Sequence, residues 1–479
     1  MSIKEAGRRN TTSAGFNILR KNRRSGMKTT NMTEGNPFKT IFFFAVPMIL
    51  SNLFQQFYNV IDTLIVGNYL GQDALAAVGS AGSITAVFAQ LATGLALGAG
   101  IVIFQYFGAG KSDKIRLCAT TSSVFSTVVG LLSTILMWIY AEPLLIYVKT
   151  PLEIVPMGVD YLRFYFLGSV PIFLYNALSS VYMALGNSKT PLKFLIISSV
   201  VNVVFDLVFI VNFHWGVAGA AAATAISQLL AMVLALTDMP RLLKEFPALK
   251  TEDGRSAFFD GKLLMTMLRF ALPSALQQSI VSVGSVVVQA TINSFGSAVM
   301  AGTAAASKVI NLAIAIPINY ANAYSGFVGQ NMGAGKTERI WPGLRSSIVC
   351  CGAVSLGITV LFEIFAEPII RLFLSDTEAD VTLALSVGAE YIRVVGACLI
   401  IFAAYMLVKA TFKGSGDMCW FVLTTLLSFV IRLVVTVGFA GRFGVDVIWW
   451  GFNLGWIISL LLAMGRYVQG GWKTKAIRG

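Results

Sequence analysis

The sequence predicts an all-α integral membrane protein with twelve transmembrane helices in two parallel six-helix repeats. Composition is the first ground: 56% of the 479 residues are hydrophobic and 12% are charged, against roughly 25% charged in soluble proteins. That much apolar surface cannot be hidden in one water-soluble core. The second is a count of apolar runs of about 20 residues, long enough as helix to cross ~30 Å of hydrocarbon. They fall near 42–66, 77–104, 117–140, 161–183, 192–213, 217–238, 263–292, 298–328, 344–365, 387–408, 420–439 and 446–467. A transmembrane barrel would show short alternating segments, and the runs are nothing of that kind.

The third ground is internal repetition. Gln105, Gly108, Ala109, Gly110 and Lys111 recur as Gln330, Gly333, Ala334, Gly335 and Lys336, an offset of 225 residues. The same offset carries Ala141-Glu142-Pro143 onto Ala366-Glu367-Pro368, and Asn68 and Gly71 onto Asn293 and Gly296. Ala45 and Pro47 match Ala271 and Pro273 one residue looser, and "DYLR" at Asp160 echoes "EYIR" at Glu390 at an offset of 230. A repeat of this length is a whole lobe. It also disposes of a phosphate-binding reading of Gly-Ala-Gly-Lys-Ser: a P-loop needs a glycine five positions before Gly110, where Gln105 stands, and a strand in front, where a long apolar stretch of helical composition stands.

Taken in order, residues 1–36 are basic without an apolar core and read as a disordered cytoplasmic tail rather than a signal peptide. Residues 37–240 form the first lobe. Its first span carries Pro47 and, late, Asp62; its fourth opens at Tyr161; its fifth carries Asn202 and Asp206. The stretch 241–262, with Pro247 and Asp253-Gly254 among alternating charges, reads as a cytoplasmic linker; 263–468 form the second lobe and 469–479 a cytoplasmic tail. The five cysteines lack metal-ligand spacing and read as small hydrophobes, and the single histidine, His214, lies in a short loop.

The net charge of +13 is a matter of topology. With alternate loops assigned to opposite sides, one side holds 29 of the 36 Lys and Arg, including Lys409 and Lys413, and the other holds Lys149, Arg371 and Arg442. This positive-inside bias places both termini and both Gly-Ala-Gly-Lys loops in the cytoplasm and lends no support to nucleic-acid binding. An even number of spans per repeat gives the halves the same polarity. They are parallel repeats, an arrangement used by transporters that rock two lobes about a central cavity.

A carboxylate at a helix centre is disfavoured by roughly 2.5–3.5 kcal/mol on insertion scales, so it is a functional candidate by default. Asp62 and Asp206 are the acids lying well within spans. Asn59 shares a helix face with Asp62, and Asn202 one with Asp206. If the faces meet, two acids and several amides form a buried site able to carry a proton, since burial and a like charge both favour protonation. Sodium could use the same oxygens. The plainer alternative is that each Asp pairs with a basic residue such as Arg163 and holds helices together. By repeat, Val288 or Gln289 stands opposite Asp62 and Arg432 opposite Asp206, so coupling is expected in the first lobe only; Lys308 and Glu363 read as structural.

The first span "AVPMILSNLFQQFYNVIDTLIVGNYLG", the loop "QYFGAGK" and "ALGNSKTPLKFLIISSVVNVVFDLVFI" followed by "GVAGAAAATAISQ" resemble the multidrug and toxic compound extrusion (MATE) family, in its DinF-like prokaryotic branch, over residues 35 to about 470. The resemblance implies a monomeric antiporter of the bacterial inner membrane that exports amphipathic organic cations, coupled to H+ or Na+, with no cofactor. It implies that Asp62 and Asp206 form the cation site, with Asn176, Asn202, Thr224 and Tyr161 as polar partners and Pro47 where the first helix bends. Tyr161 recurs as Tyr391 and Pro47 as Pro273, so both also fit a purely architectural role. The family's start resembles "MTEGNP" at Met32, leaving residues 1–31 as an extension or a misassigned start.

A lipid-linked oligosaccharide flippase of the wider superfamily is the rival transporter, and a channel a further one. An embedded transferase or metalloprotease would need an Asp-rich metal cluster or helical His pairs. One histidine, and no acids paired within four residues in any span, argue against an enzyme.

Overall fold

The computed structural model describes residues 30–247, 249, 257–374 and 380–477. The expectations for the extreme amino terminus and for most of the 241–262 linker therefore lie outside the described residues. The described residues form helices joined by short loops and turns. In order come α1 (Pro37–Gly108), α2 (Ser112–Tyr147), α3 (Val155–Leu167), α4 (Ser169–Ala184), α5 (Lys189–Leu207), α6 (Gly216–Leu243), α7 (Gly261–Asn293), α8 (Ser297–Gly333), α9 (Ile340–Arg371), α10 (Val381–Ala397), α11 (Leu399–Ser415), α12 (Met418–Phe443) and α13 (Asp446–Gln469).

Among the described residues, nine helices are by themselves long and apolar enough to cross a membrane. Two further spans come from bent pairs, α3 with α4 at 46° and α10 with α11 at 49°. The twelfth comes from α1, whose 72 residues are broken at Gly71 (φ 83°, ψ −174°). That conformation is open essentially to glycine alone, and it returns at Gly296 (φ 98°, ψ 173°), between α7 and α8. Gly110 and Gly335 repeat likewise at φ 70°. The repeat written in the sequence is thus a repeat of backbone geometry. Within α1 the backbone leaves the helical region at Gly71, and Pro47 lies inside the helix, 24 residues earlier in the chain.

The described residues separate into two compact units. One comprises Leu50–Leu276 with the residues before Glu34; the other comprises Glu34–Ile49 and Gln277–Gly479. In the first unit the core gathers Ile65, Val66, Ile84, Met137, Tyr161, Leu162 and Phe166. Its helices approach through small residues, as expected where lipid offers no hydrophobic drive and close backbone packing must hold helices together. A methyl group at Gly98 would overlap the Ala271 backbone, and one at Gly94 would lie 2.6 Å from Ala275 Cα. In the second unit the core is richer in aromatics: Trp449 stacks on Tyr391 with centroids 4.1 Å apart, and Trp456 lies 4.6 Å from Phe402. The outer face of α2 exposes Leu131, Ile135, Trp138 and Ile139. A continuous apolar surface of this kind marks a lipid-facing helix, so the chain is a multi-pass membrane protein.

Candidate functional site

The site is assembled in the first unit from four helices. α5 supplies Asn202 and Asp206, one turn apart on its buried side, with relative exposures of 1% and 0%. α1 supplies Asp62, α3 Tyr161 and α6 Thr224. The Asp62 and Asp206 carboxyl groups meet closely enough to share a hydrogen bond between them. The Asn202 amide bridges the cluster: its nitrogen donates to Asp206 Oδ2 at 3.0 Å, and its oxygen accepts from the Thr224 backbone N–H at 3.2 Å, an orientation assigned from the network. The Thr224 hydroxyl lies 3.5 Å from the Tyr58 hydroxyl. Tyr161 is buried beside both carboxyls and stacks on Tyr165 at 6.0 Å.

One oxygen of each acid, Asp62 Oδ1 and Asp206 Oδ1, is buried without a hydrogen-bond partner. Buried polar atoms are nearly always satisfied, so these two carboxylate oxygens stand out within the unit. Neither acid has a basic partner among the described residues. Arg163, the candidate counter-ion, sits instead 5.5 Å from the Trp138 ring centroid with its Nε unpartnered. The reading in which a cation neutralises each Asp is therefore not the one the fold adopts.

Immediately after Asp206 the helix widens into a π turn, Val208–Asn212. Such turns are rare and frequent at functional sites. Here it is clamped by a stack of Phe205, Phe209, Phe213 and Trp215, with Phe209 and Trp215 centroids 4.8 Å apart. Gly219 allows α6 to close on it: a methyl there would lie 3.1 Å from Phe209 Cβ.

Of the six polar residues expected at this site, five converge. The exception is Asn176, whose amide donates to the Ile172 carbonyl of its own helix at 2.9 Å and makes no hydrogen bond to the carboxyl pair. Tyr58 and Tyr165 join the site unforeseen. Each lies four residues from a residue already singled out, Asp62 and Tyr161, and that spacing was the available signal.

A family model, MatE, matches residues 47–208 and again 273–437, one match on each repeat. The chain belongs to the MatE family. It is 28% identical to the "Probable multidrug resistance protein YpnP" of Bacillus subtilis (strain 168) over 458 residues, 94% of this chain and 98% of that one. In fold it matches a transporter of the MOP superfamily from Pyrococcus furiosus, with a TM-score of 0.85, 22% identity and coverage of 94% of this chain and 100% of that one. An outward-facing multidrug resistance MATE family transporter matches with a TM-score of 0.84 and 22% identity, covering 93% of this chain and 99% of that one.

The second MatE repeat replaces the acidic cluster with different chemistry. Gly186 (φ 79°) and Gly416 (φ 90°) close equivalent helices, and in the frame they set Arg432 is the repeat counterpart of Asn202 and the fully buried Thr436 that of Asp206. This corrects the pairing of Arg432 with Asp206 by one helical turn. The Arg432 guanidinium lies 3.5 Å from the Phe452 ring centroid, and Val288 is packed into the core. Lys308 lies 5.9 Å from the Phe373 ring centroid. A second correction concerns Lys409 and Lys413. The sequence places both in a cytoplasmic loop, whereas both belong to α11 and are buried. The positive-inside bias survives their removal.

Proposed function

We propose that this MatE protein is an antiporter that exports small amphipathic compounds, organic cations among them, by alternating access, driven by a proton or sodium gradient through Asp62 and Asp206. The pair of buried, mutually facing carboxyls, which have no basic partner among the described residues, carries the proposal. A group that must exchange its ion on every cycle has to hold it without a permanent counter-ion, and two acids that share a proton meet that need. The multidrug resistance names of the relatives support a small-molecule substrate. The positive-inside bias supports cytoplasmic termini in a bacterial inner membrane.

Asp206→Asn keeps size and hydrogen bonding while removing titration. Everted vesicles holding this variant should retain folded protein yet lose gradient dissipation on addition of a substrate such as ethidium, with the initial rate reduced at least tenfold. Export at the wild-type rate would sink the proposal. Absence of dissipation by the wild type across a broad cation panel would return the oligosaccharide flippase as the better reading.

A further inference from the structure

The second unit carries a pair of buried cations that the acidic site does not use. Lys409 and Lys413 lie one turn apart on α11 with relative exposures of 7% and 6%. Lys409 Nζ donates to Thr425 Oγ1 at 3.2 Å and stands 5.3 Å and 5.2 Å from the ring centroids of Tyr405 and Phe421. Lys413 Nζ donates to Asn322 Oδ1 at 3.0 Å. An ammonium has three donors, so each lysine meets one neutral acceptor and keeps others to spare. The acid nearest in sequence is committed elsewhere: Asp417 Oδ2 accepts from Arg466 Nε at 3.0 Å and from a terminal Arg466 nitrogen at 2.8 Å. Among the described residues neither lysine makes an ion pair.

Two ammonium groups at neighbouring turns, withdrawn from water and without an ion-pair partner among the described residues, are disfavoured as charges; an anion bound at both relieves that cost, as loss of a proton also does. The pair is peculiar to this repeat. In the frame of Gly186 and Gly416, and of the matching Tyr175 and Tyr405, the first repeat has Ser179 and Met183 at these places. The buried rings of Tyr405 and Phe421 turn their faces to the Lys409 ammonium and favour its charged form. We infer that Lys409 and Lys413, with Thr425 and Asn322, form an anion subsite in the second lobe that takes the carboxylate or phosphate of an amphipathic molecule. This goes beyond the ion-coupling role of Asp62 and Asp206, and it extends the substrate class from cations to molecules bearing an acidic group.

The test uses full-length protein in phosphatidylcholine nanodiscs and two dyes of one scaffold, rhodamine B, which has a free carboxylate, and its ethyl ester, which lacks it. Fluorescence anisotropy should show the acid bound about tenfold more tightly than the ester. The Lys409→Gln/Lys413→Gln double variant should lose that preference while binding the ester as before; unchanged ester binding reports that the variant is folded. Lys413→Arg, which keeps the charge, should retain much of the preference. Asp206→Asn should retain all of it, so failure of the coupling proposal and failure of this one are told apart. Competition assigns the natural occupant: displacement by inorganic phosphate points to a soluble anion, and displacement by added phosphatidylglycerol alone to a lipid headgroup, and either supports the subsite. Equal affinity of the wild type for acid and ester, or an undiminished preference in the double variant, overturns it.

Discussion

Asn202 shows how one side chain holds the candidate site together. It touches Asp206 with its nitrogen and the α6 backbone at Thr224 with its oxygen, so it sets the distance between the two helices at the carboxyl pair. Leaving a buried partner unsatisfied costs ~1–3 kcal/mol. Asn202→Ala should therefore lower the thermal unfolding midpoint in detergent by several degrees and slow gradient-driven export, whereas Asn176→Ala, which frees only a carbonyl of its own helix, should change export by less than twofold. Vesicle transport assays of the two variants side by side check this; equal loss in both would mean that the amide bridge has no special role. The spacing of Asn202 and Asp206 told in advance that they share a face. It could not tell that the face would meet Asp62, because no local pattern encodes which helix packs against which.

Among the elements, the break in α1 is the one whose geometry most depends on a single residue. Gly71 at φ 83°, ψ −174° turns the chain sharply between two spans, and a side chain there is strained whatever the space around it. Gly71→Ala should cost roughly 1–3 kcal/mol and reduce the yield of monodisperse protein, while Gly79→Ala, with nothing within 4 Å of its added methyl, should be neutral or slightly stabilising. Gly98→Val tests packing in the same helix. Its side chain would overlap the Ala271 backbone, and such overpacking costs about 1–3 kcal/mol, so its melting temperature by intrinsic fluorescence should fall below that of Gly79→Ala. Apolar runs marked where the spans lie, since a membrane imposes a length. They did not mark the bent pairs α3–α4 and α10–α11 as composite, nor the π turn after Asp206, because hydropathy carries no information on helix continuity.

For the whole molecule, the repeat predicts that the two Gly-Ala-Gly-Lys loops lie on the same side of the membrane, and the charge bias assigns that side to the cytoplasm. Single cysteines at positions 111 and 336, in a background lacking the five native ones, should resist an impermeant maleimide in intact cells and react in everted vesicles, with a cysteine at 149 doing the reverse. Reaction of 111 and 149 on the same side would refute the topology. Asp376, a further external marker by the same count, lies outside the described residues. The acids sit in one repeat and the buried lysines in the other, so the two halves share a backbone plan but not a chemistry.

That plan could be read from the chain alone, because a bilayer enforces span length, loop charge and apolar composition locally, and an internal duplication copies its glycines to matching turns. The contents of each lobe could not. Lys409 and Lys413 look in sequence like loop cations next to Gly416, Arg163 looks like a partner for an acid, and Tyr58 looks like one aromatic among many. Packing alone decides that the first two are withdrawn from water, that the third rests on Trp138, and that the fourth stands beside Thr224. Burial and partnership depend on residues tens or hundreds of positions away, and a charge takes its meaning from those neighbours.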